Sequence, residues 1–399
     1  MANLHLEHLR KAFGSAAPAV ADVSFDVRDR EAVFVLGPSG AGKTTTLRLI
    51  AGLEAPDGGD IVIGGRSVVR ETPGRRNVAM VYDKHSLFPH LSIFENMAYP
   101  LRVRKVAQTA LRDRIMQVAE TLQINELLQR MPRQLSGGQM QRVAIGRALV
   151  RDADVFLMDE PISHLDAQLR ARMRVEFKRL QKDFKATILC VSHDQLEAMT
   201  MSDRIVVLNA GKVEQIGPPQ EIFDRPASKF VATFVGEPAM NTAATKLLRQ
   251  GGDYSVDIGS SRIPVDAAWL EAAGVLAQDR PDLVLGARPQ HLRMAANDDP
   301  GPFVIRGKLY AVESLGSRAL FDIDVGEGAI VRVMSSTGEA LLYPREMNAA
   351  VAFCVDPNAL YLFDPVTGKT VAQARFSARS AQAMARGEHK ASGATTTVA

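Results

Sequence analysis

Ala32-Val-Phe-Val-Leu36, followed by Gly37-Pro-Ser-Gly-Ala-Gly-Lys43-Thr44-Thr45, decides the fold class. The first run is continuously apolar with β-branched members, the pattern of a strand buried on both faces. The second fits G-x-x-x-x-G-K-[ST] at every fixed position, and a helix is expected from about Lys43 to Ala51, closed by Gly52. Gly37, Gly40 and Gly42, with Pro38, Ser39 and Ala41 between them, let backbone N–H groups curl around a phosphate at a helix start, where the peptide dipoles are positive. Lys43 would add a point charge for the β- and γ-phosphates, and the Thr44 hydroxyl is placed for Mg²⁺. A chance match arises in roughly one chain in a hundred of this length, and the strand–turn–helix setting makes it rarer.

Working outward, short apolar strands alternate with amphipathic helices up to about Gly236, the rhythm of an α/β domain. Val155–Met158 and Thr187–Val191 read as further buried strands. Asp159 ends the first of them, where a carboxylate facing Mg²⁺ belongs, and the adjacent Glu160 can polarise a water. The bland alternative, that Asp159 and Glu160 only cap a loop before Pro161, loses weight beside a phosphate loop. Between the two strands, Leu165, Leu169, Met173, Phe177, Leu180 and Phe184 form one apolar stripe on a long helix with basic outer faces. Leu135-Ser-Gly-Gly-Gln139 precedes a helix expected over Met140–Leu149. Ser136, Gly137 and Gly138 make a second anion-binding nest; an ordinary cap would explain Ser136 but not two glycines, which cost helix propensity. One phosphate loop with two phosphate-reading elements suggests two chains, head to tail, each covering the other's ATP.

From about Glu237 the rhythm changes to short strands divided by Gly259-Ser-Ser, Gly326-Glu-Gly and Asp356-Pro-Asn, the chemistry of tight turns. Tyr254–Ile258, Phe303–Val312, Arg318–Val325, Ala329–Met334 and Val351–Val355 are the better strand candidates, and they predict a small β-barrel or paired barrels. Residues 373–399, rich in Ala, Ser, Arg, Gly and Thr, are expected to be disordered. The 399 residues include 46% hydrophobic and 23% charged side chains, with a net charge of +3 from 48 basic and 45 acidic residues. That suits a globular protein of two or three domains, and the balance gives no support for a nucleic-acid partner. No uncharged apolar stretch reaches the 18 or so residues of a membrane span. The charged N-terminus lacks a signal-peptide core. Cys190 and Cys354 are too few and too far apart for a disulfide framework.

The phosphate loop, Leu135–Gln139, Asp159-Glu160, Ser163-His-Leu-Asp166 and Ser192-His193-Asp194 stand in an order that resembles the ABC ATPases across about the first 235 residues. The resemblance implies a P-loop ATPase domain with mixed sheet over residues 1–236, with a helical subdomain at about 85–155, and a nucleotide-sandwich dimer. It implies that Gly37–Thr45, Ser136, Gly137, Gly138, Gln139 and Asp166 serve the nucleotide. Thr44, Asp83 and Asp159 would serve Mg²⁺, and Glu160 would be the catalytic carboxylate. His193, which alone would read as a structural or solvated imidazole, would reach the γ-phosphate. Phe13 stands where the family stacks an aromatic on adenine, a buried core Phe being the alternative. Leu87–Leu101 looks like the segment by which importer ATPases touch a membrane subunit. Leu285-Gly-Ala-Arg-Pro-Gln-His-Leu292, Val312-Glu-Ser-Leu-Gly316 and Leu360-Tyr-Leu-Phe-Asp364 resemble the TOBE barrels of carbohydrate importers of the maltose and glycerol-3-phosphate type. A C-terminal all-β, OB-like domain over 237–372 is therefore expected.

The implied partners are a second ATP-binding subunit, alike or different, and two integral-membrane permease subunits. An extracellular or periplasmic solute-binding protein would act indirectly. The implied place is peripheral, on the cytoplasmic face of the plasma membrane. Asp83 departs from the family's glutamine. At about 5 Å and an effective dielectric near 20 its charge would repel Glu160 by about 3 kcal/mol before a metal or Lys84 offset it, unless its side chain turns to solvent. His164 replaces a frequent asparagine and raises the possibility of pairing with a different ATPase. Rival readings are a soluble ABC ATPase working on nucleic acid or ribosomes, and a low-activity regulatory subunit of a heterodimeric transporter.

Overall fold

The computed structural model describes residues 2–15, 17–82, 86–163, 165–276 and 282–375. Asp83, His164 and residues 376–399 of the C-terminal tail lie outside them. The chain divides into two compact units, Met1–Ile222 and Phe223–Ala399.

Among the described residues of the first unit, ten strands form one mixed sheet, in the order Arg66–Ser67, Gly58–Ile63, Leu4–Lys11, Val20–Val27, Lys212–Gly217, Arg204–Asn209, Ala32–Leu36, Ile188–Val191, Val155–Asp159 and Val78–Val81. Arg204–Asn209 through Val78–Val81 are parallel neighbours; beyond them the neighbours are antiparallel except Lys212–Gly217, which pairs in parallel with Val20–Val27. The parallel strands are continuous apolar runs because helices cover both their faces; Ala32–Leu36 and Ile188–Val191 are buried at every residue. In open α/β sheets ligands sit beyond the carboxyl ends of such strands. Register aligns Val35 and Asp159 with Val191, so the residues that follow these strands emerge at one edge.

Helices Lys43–Ala51 and Ala167–Phe184 occur where the pattern predicts them, with Met173, Phe177 and Leu180 buried on the second and Leu169 and Phe184 half-buried. Helices Ile93–Val103, Gln108–Thr121 and Gly137–Leu149 make up most of the intervening helical region. Asn96, wholly buried, ties its entry together: its side-chain amide donates to the carbonyls of Phe88, Leu91 and Ser92, and its Oδ1 accepts from the Phe88 N–H.

The phosphate-loop helix is anchored at its far end by Arg76, only 2% exposed, which donates to the carbonyls of Leu49, Ile50, Val69 and Glu71. The first two are last-turn carbonyls, the Leu49 one accepting also from Gly52 N at 3.2 Å, and a cation there also suits the helix dipole. Gly52 closes the helix in the left-handed region, and a Cβ there would lie 2.6 Å from Arg76 Nε. Arg76→Met takes the guanidinium donor from the Ile50, Val69 and Glu71 carbonyls, at about 1–3 kcal/mol for each one left unpaired. Calorimetry should show the thermal midpoint of the N-terminal unit falling by roughly 6–12 °C for a loss of about 3 kcal/mol.

The second unit holds two antiparallel sheets. One runs Ser261–Val265, Asp253–Ile258, Asn241–Gln250, Asp282–Ala287, Leu360–Phe363 and Thr370–Ala372; the other runs Leu292–Ala295, Ala350–Val355, Val304–Ser314, Arg318–Asp324 and Ile330–Ser336. Val256, Leu285 and Leu362 from the first share a core with Phe321, Val333 and Phe353 from the second, giving the barrel-like packing that the turns foretold. Asn241–Gln250 was not legible as a strand because its halves serve different neighbours. Residues 241–246 pair with Asp282–Ala287 and 247–250 with Asp253–Ile258, so no single apolar alternation runs through it. Cys190 and Cys354 are both free thiols.

Candidate active site

Glycine at 37 and 42 is dictated by crowding: an added Cβ would lie 2.4 Å from the Leu208 carbonyl at one and 2.2 Å from the Ala19 carbonyl at the other. Gly40 and Gly42 also have φ of +80° and +99°, where side chains are strained. The loop therefore presents backbone rather than side chains at the start of Lys43–Ala51. Lys43, 8% exposed, donates from Nζ to the carbonyls of Gly37 at 2.7 Å and Pro38 at 3.0 Å. Burial pushes its ammonium below the usual lysine range, while Glu160 and Asp159 pull it back up. The Thr44 hydroxyl donates to Asp159 Oδ1 at 3.3 Å. Loop, lysine, hydroxyl and strand-end carboxylate thus converge.

Glu160 has φ of +48°, unusual for a side chain of this size, and its backbone is held on both sides. Its N–H donates to the Val191 carbonyl at 2.9 Å, and its own carbonyl accepts from Ser163 N at 3.3 Å and Ser163 Oγ at 3.1 Å. This turns the carboxylate toward the next strand end, where Oε2 lies 3.0 Å from His193 Nδ1. His193 is more than half exposed, so it is no core histidine. The strand after which it follows continues into Ser192, whose hydroxyl donates to Glu197 Oε2 at 2.7 Å and accepts from Asp194 N at 3.0 Å. Burial raises the Glu197 carboxyl, the Ser192 hydrogen bond opposing it.

Ser136 lies elsewhere in this unit, and neither it nor Gln139 hydrogen-bonds to the phosphate loop among the described residues. The helix begins at Gly137 rather than at Met140, because Ser136 Oγ accepts from Gln139 N while Gln139 Oε1 accepts from Ser136 N, a reciprocal capping box. The two glycines differ in purpose. Gly137 is open to solvent, whereas a Cβ at Gly138 would lie 2.0 Å from Leu169 Cδ2, so close helix packing accounts for the second. Asp166 caps Ala167–Phe184 through Leu169 N at 2.9 Å. Phe13 is 49% exposed with Lys11 Nζ 5.3 Å from its ring centroid, which removes the buried-core alternative. Arg170, which sequence reading passed over, sits one turn inside the Asp166-capped helix. Helical side chains lean toward the N-terminus, the signal that could have placed it against the preceding loop.

A backbone cradle with a buried lysine, beside a carboxylate–imidazole pair, defines a nucleotide-hydrolysing P-loop protein. Residues 20–163 match the family model described as ABC transporter, and residues 285–363 match the model described as TOBE domain. The chain is 44% identical over 369 residues to the sn-glycerol-3-phosphate import ATP-binding protein UgpC of Cereibacter sphaeroides, covering 92% of this chain and 99% of that one. It is 42% identical over 380 residues to the trehalose/maltose import ATP-binding protein MalK of Thermococcus litoralis, covering 93% and 100%. The fold is also that of cbiO1 from Clostridium perfringens, part of the ABC transporter complex cbiONQ, with a TM-score of 0.52 at 24% identity over 55% of this chain and 89% of that one. The chain belongs to the ATP-binding subunits of ABC importers, and it is an ATPase. No helix among its described residues is long and apolar enough to cross a membrane.

Proposed function

We propose that two ATP-binding subunits close head to tail on MgATP, and that this closure drives two membrane permease subunits that move a sugar, polyol or glycerol phosphate. The observation that carries the reading is the Glu160–His193 pair, 3.0 Å apart, at the strand edge where Lys43 and Thr44 also converge. Gly37–Thr45 hold the phosphates through backbone N–H groups, and Lys43 turns its charge to the β- and γ-oxygens. Phe13 stacks on the adenine; Ser136, Gly137, Gly138, Gln139 and Asp166 complete the site of the opposite subunit. Thr44 Oγ1 and Asp159 Oδ1 are hard oxygen donors of the kind Mg²⁺ takes alongside phosphate oxygens and water, so the residues fit the ion, with Asp83 as a further candidate. The bound ion would neutralise charge on the terminal phosphates. Glu160 accepts the proton of the attacking water, and His193 orients Glu160 and touches the γ-phosphate.

The permease surface falls on the helical region at 85–155. A cavity of about 320 Å³ there is lined by Tyr82, Phe88, Tyr99, Pro100, Arg147 and Arg151 among others. Burial lowers both guanidinium groups, so an acidic or carbonyl-rich helix end from the membrane partner would be welcome there. The ATPase domain over 1–236 would thus work at the cytoplasmic face of the membrane, and the TOBE domain over 237–372 would pair subunits or receive a regulator. Relatives whose names specify glycerol-3-phosphate or trehalose and maltose import support a sugar or glycerol phosphate as solute.

The test is uptake of labelled glycerol 3-phosphate, trehalose and a polyol by vesicles carrying this chain with co-expressed candidate permease subunits. ATP-dependent uptake of at least one, abolished by Glu160→Gln, is expected; coupling only to a solute of another class would overturn the solute assignment. Phe13→Ala should raise the Kd for ATP about fivefold or more, since base–aromatic stacking contributes about 1–3 kcal/mol. GTP binding should weaken by a similar factor, because every base offers a π-face to stack, as competition against a fluorescent analogue would show.

A further inference from the structure

One guanidinium spans the two loops that flank the Glu160–His193 pair. Arg170 Nη2 donates to the carbonyls of Ser163 at 3.1 Å and Leu165 at 3.0 Å, and Nη1 lies 3.5 Å from Asp194 Oδ2. Both loops are themselves fixed to the reacting groups. Ser163 holds the Glu160 carbonyl through its N–H and hydroxyl, and Asp194 directly follows His193. Asp194 in turn is pinned by Ser192 Oγ on its N–H, and its Oδ1 caps Gln195–Met201 by accepting from Glu197 N at 3.1 Å. Arg170 rises from the helix that Asp166 caps, so the loop it grips on one side is the one that ends in Asp166. Arg170 and Asp194 are each less than one-third exposed, which keeps the tie from dissolving into water as a surface ion pair would.

We infer that Arg170 is a positioning residue for hydrolysis: it locks the Ser163–Leu165 loop to the His193 loop, so that Glu160 and His193 keep their mutual geometry. This deepens the proposed function and rests on it. A planar guanidinium can serve two carbonyls on one side and a carboxylate on the other, whereas a lysine offers one nitrogen and can serve only one side well. The tie acts on the geometry of the base and not on the phosphate loop, so it governs turnover rather than nucleotide affinity. Misplacement of a catalytic group by about 1 Å is enough to cost roughly a hundredfold in rate.

The experiment compares steady-state ATP hydrolysis by the purified full chain with that of Arg170→Met, Arg170→Lys, Asp194→Asn and Arg170→Met/Asp194→Asn, with ATP affinity measured separately by a fluorescent analogue. We expect Arg170→Met to lower kcat at least tenfold with KM and analogue Kd within threefold of the parent. Arg170→Lys should recover part of the loss. The double variant should be no slower than Arg170→Met, because both changes break the same tie. Turnover of Arg170→Met within twofold of the parent would overturn the inference, as would losses that multiply in the double variant or fall on Kd alone. Should Arg170→Met fail to fold, Arg170→Lys and Asp194→Asn decide the matter: a reduced kcat at constant Kd supports the tie, and parental kcat in both overturns it. A parent chain that neither binds nor hydrolyses ATP defeats the proposed function itself, an outcome distinct from an active parent with indifferent variants.

Discussion

Replacing Glu160 by Gln is expected to slow ATP turnover by about 10²–10⁴-fold, the usual worth of a positioned general base. The substitution is nearly isosteric, so the left-handed backbone at Glu160, the bonds to Val191 and Ser163 and the contact with His193 are all compatible with it. What is lost is the negative charge and the capacity to take a proton from water. Removing a negative charge from beside the γ-phosphate also eases binding of the anion, so affinity for ATP should hold or rise. The variant should therefore accumulate an ATP-bound closed dimer, visible as unhydrolysed ATP retained through gel filtration after incubation with MgATP. Parent-like turnover would remove Glu160 from the role of base, and slow turnover with an ATP Kd weakened tenfold would recast it as a binding residue.

Replacing Lys43 by Ala is expected to weaken ATP binding by about a hundredfold or more. Charge-assisted hydrogen bonds contribute about 1.5–3 kcal/mol each, and losing two amounts to roughly 3 kcal/mol or more. The folded state has less at stake. Lys43 is buried and its ammonium is disfavoured by desolvation, so deleting it relieves that cost while releasing the carbonyls of Gly37 and Pro38. A thermal midpoint within a few degrees of the parent, together with a collapse of nucleotide affinity, would separate a binding lysine from a structural one. Similar affinity in both chains would contradict the phosphate reading of the loop.

Three central parallel strands and the phosphate loop were legible because burial on both faces forces continuous apolar runs and because the loop's glycines are fixed by local geometry; the parallel strands Val78–Val81 and Arg204–Asn209 were not read. Ala32–Leu36 and Lys43–Ala51 fall where the sequence places them. The helix start at Gly137 was set three residues too late. Glycine argues against helix on propensity, yet here the capping box and the approach of Leu169 outweigh that cost. Arg170 and Arg76 were invisible for a different reason. Each looks like one more surface cation; Arg76 reaches carbonyls 26 and 27 residues back that only the fold brings near, and Arg170 turns back onto the loop just before its own helix, a contact that the basic helix face conceals. Six of the eleven strands among the second unit's described residues were likewise missed, since short strands in a barrel draw their stability from partners rather than from their own pattern.

The central claim is that nucleotide holds two subunits together, with Ser136 of one approaching the phosphate loop of the other. Its most direct measurement is disulfide trapping of Ser39→Cys/Ser136→Cys chains, in a Cys354→Ser and Glu160→Gln background, under a mild oxidant. Ser39 and Ser136 are both exposed in the single chain, and Cys190 is buried out of reach. A covalent dimer that forms rapidly with saturating MgATP and poorly with ADP is the predicted result. No dimer under saturating MgATP, or the same yield with either nucleotide, would contradict the account.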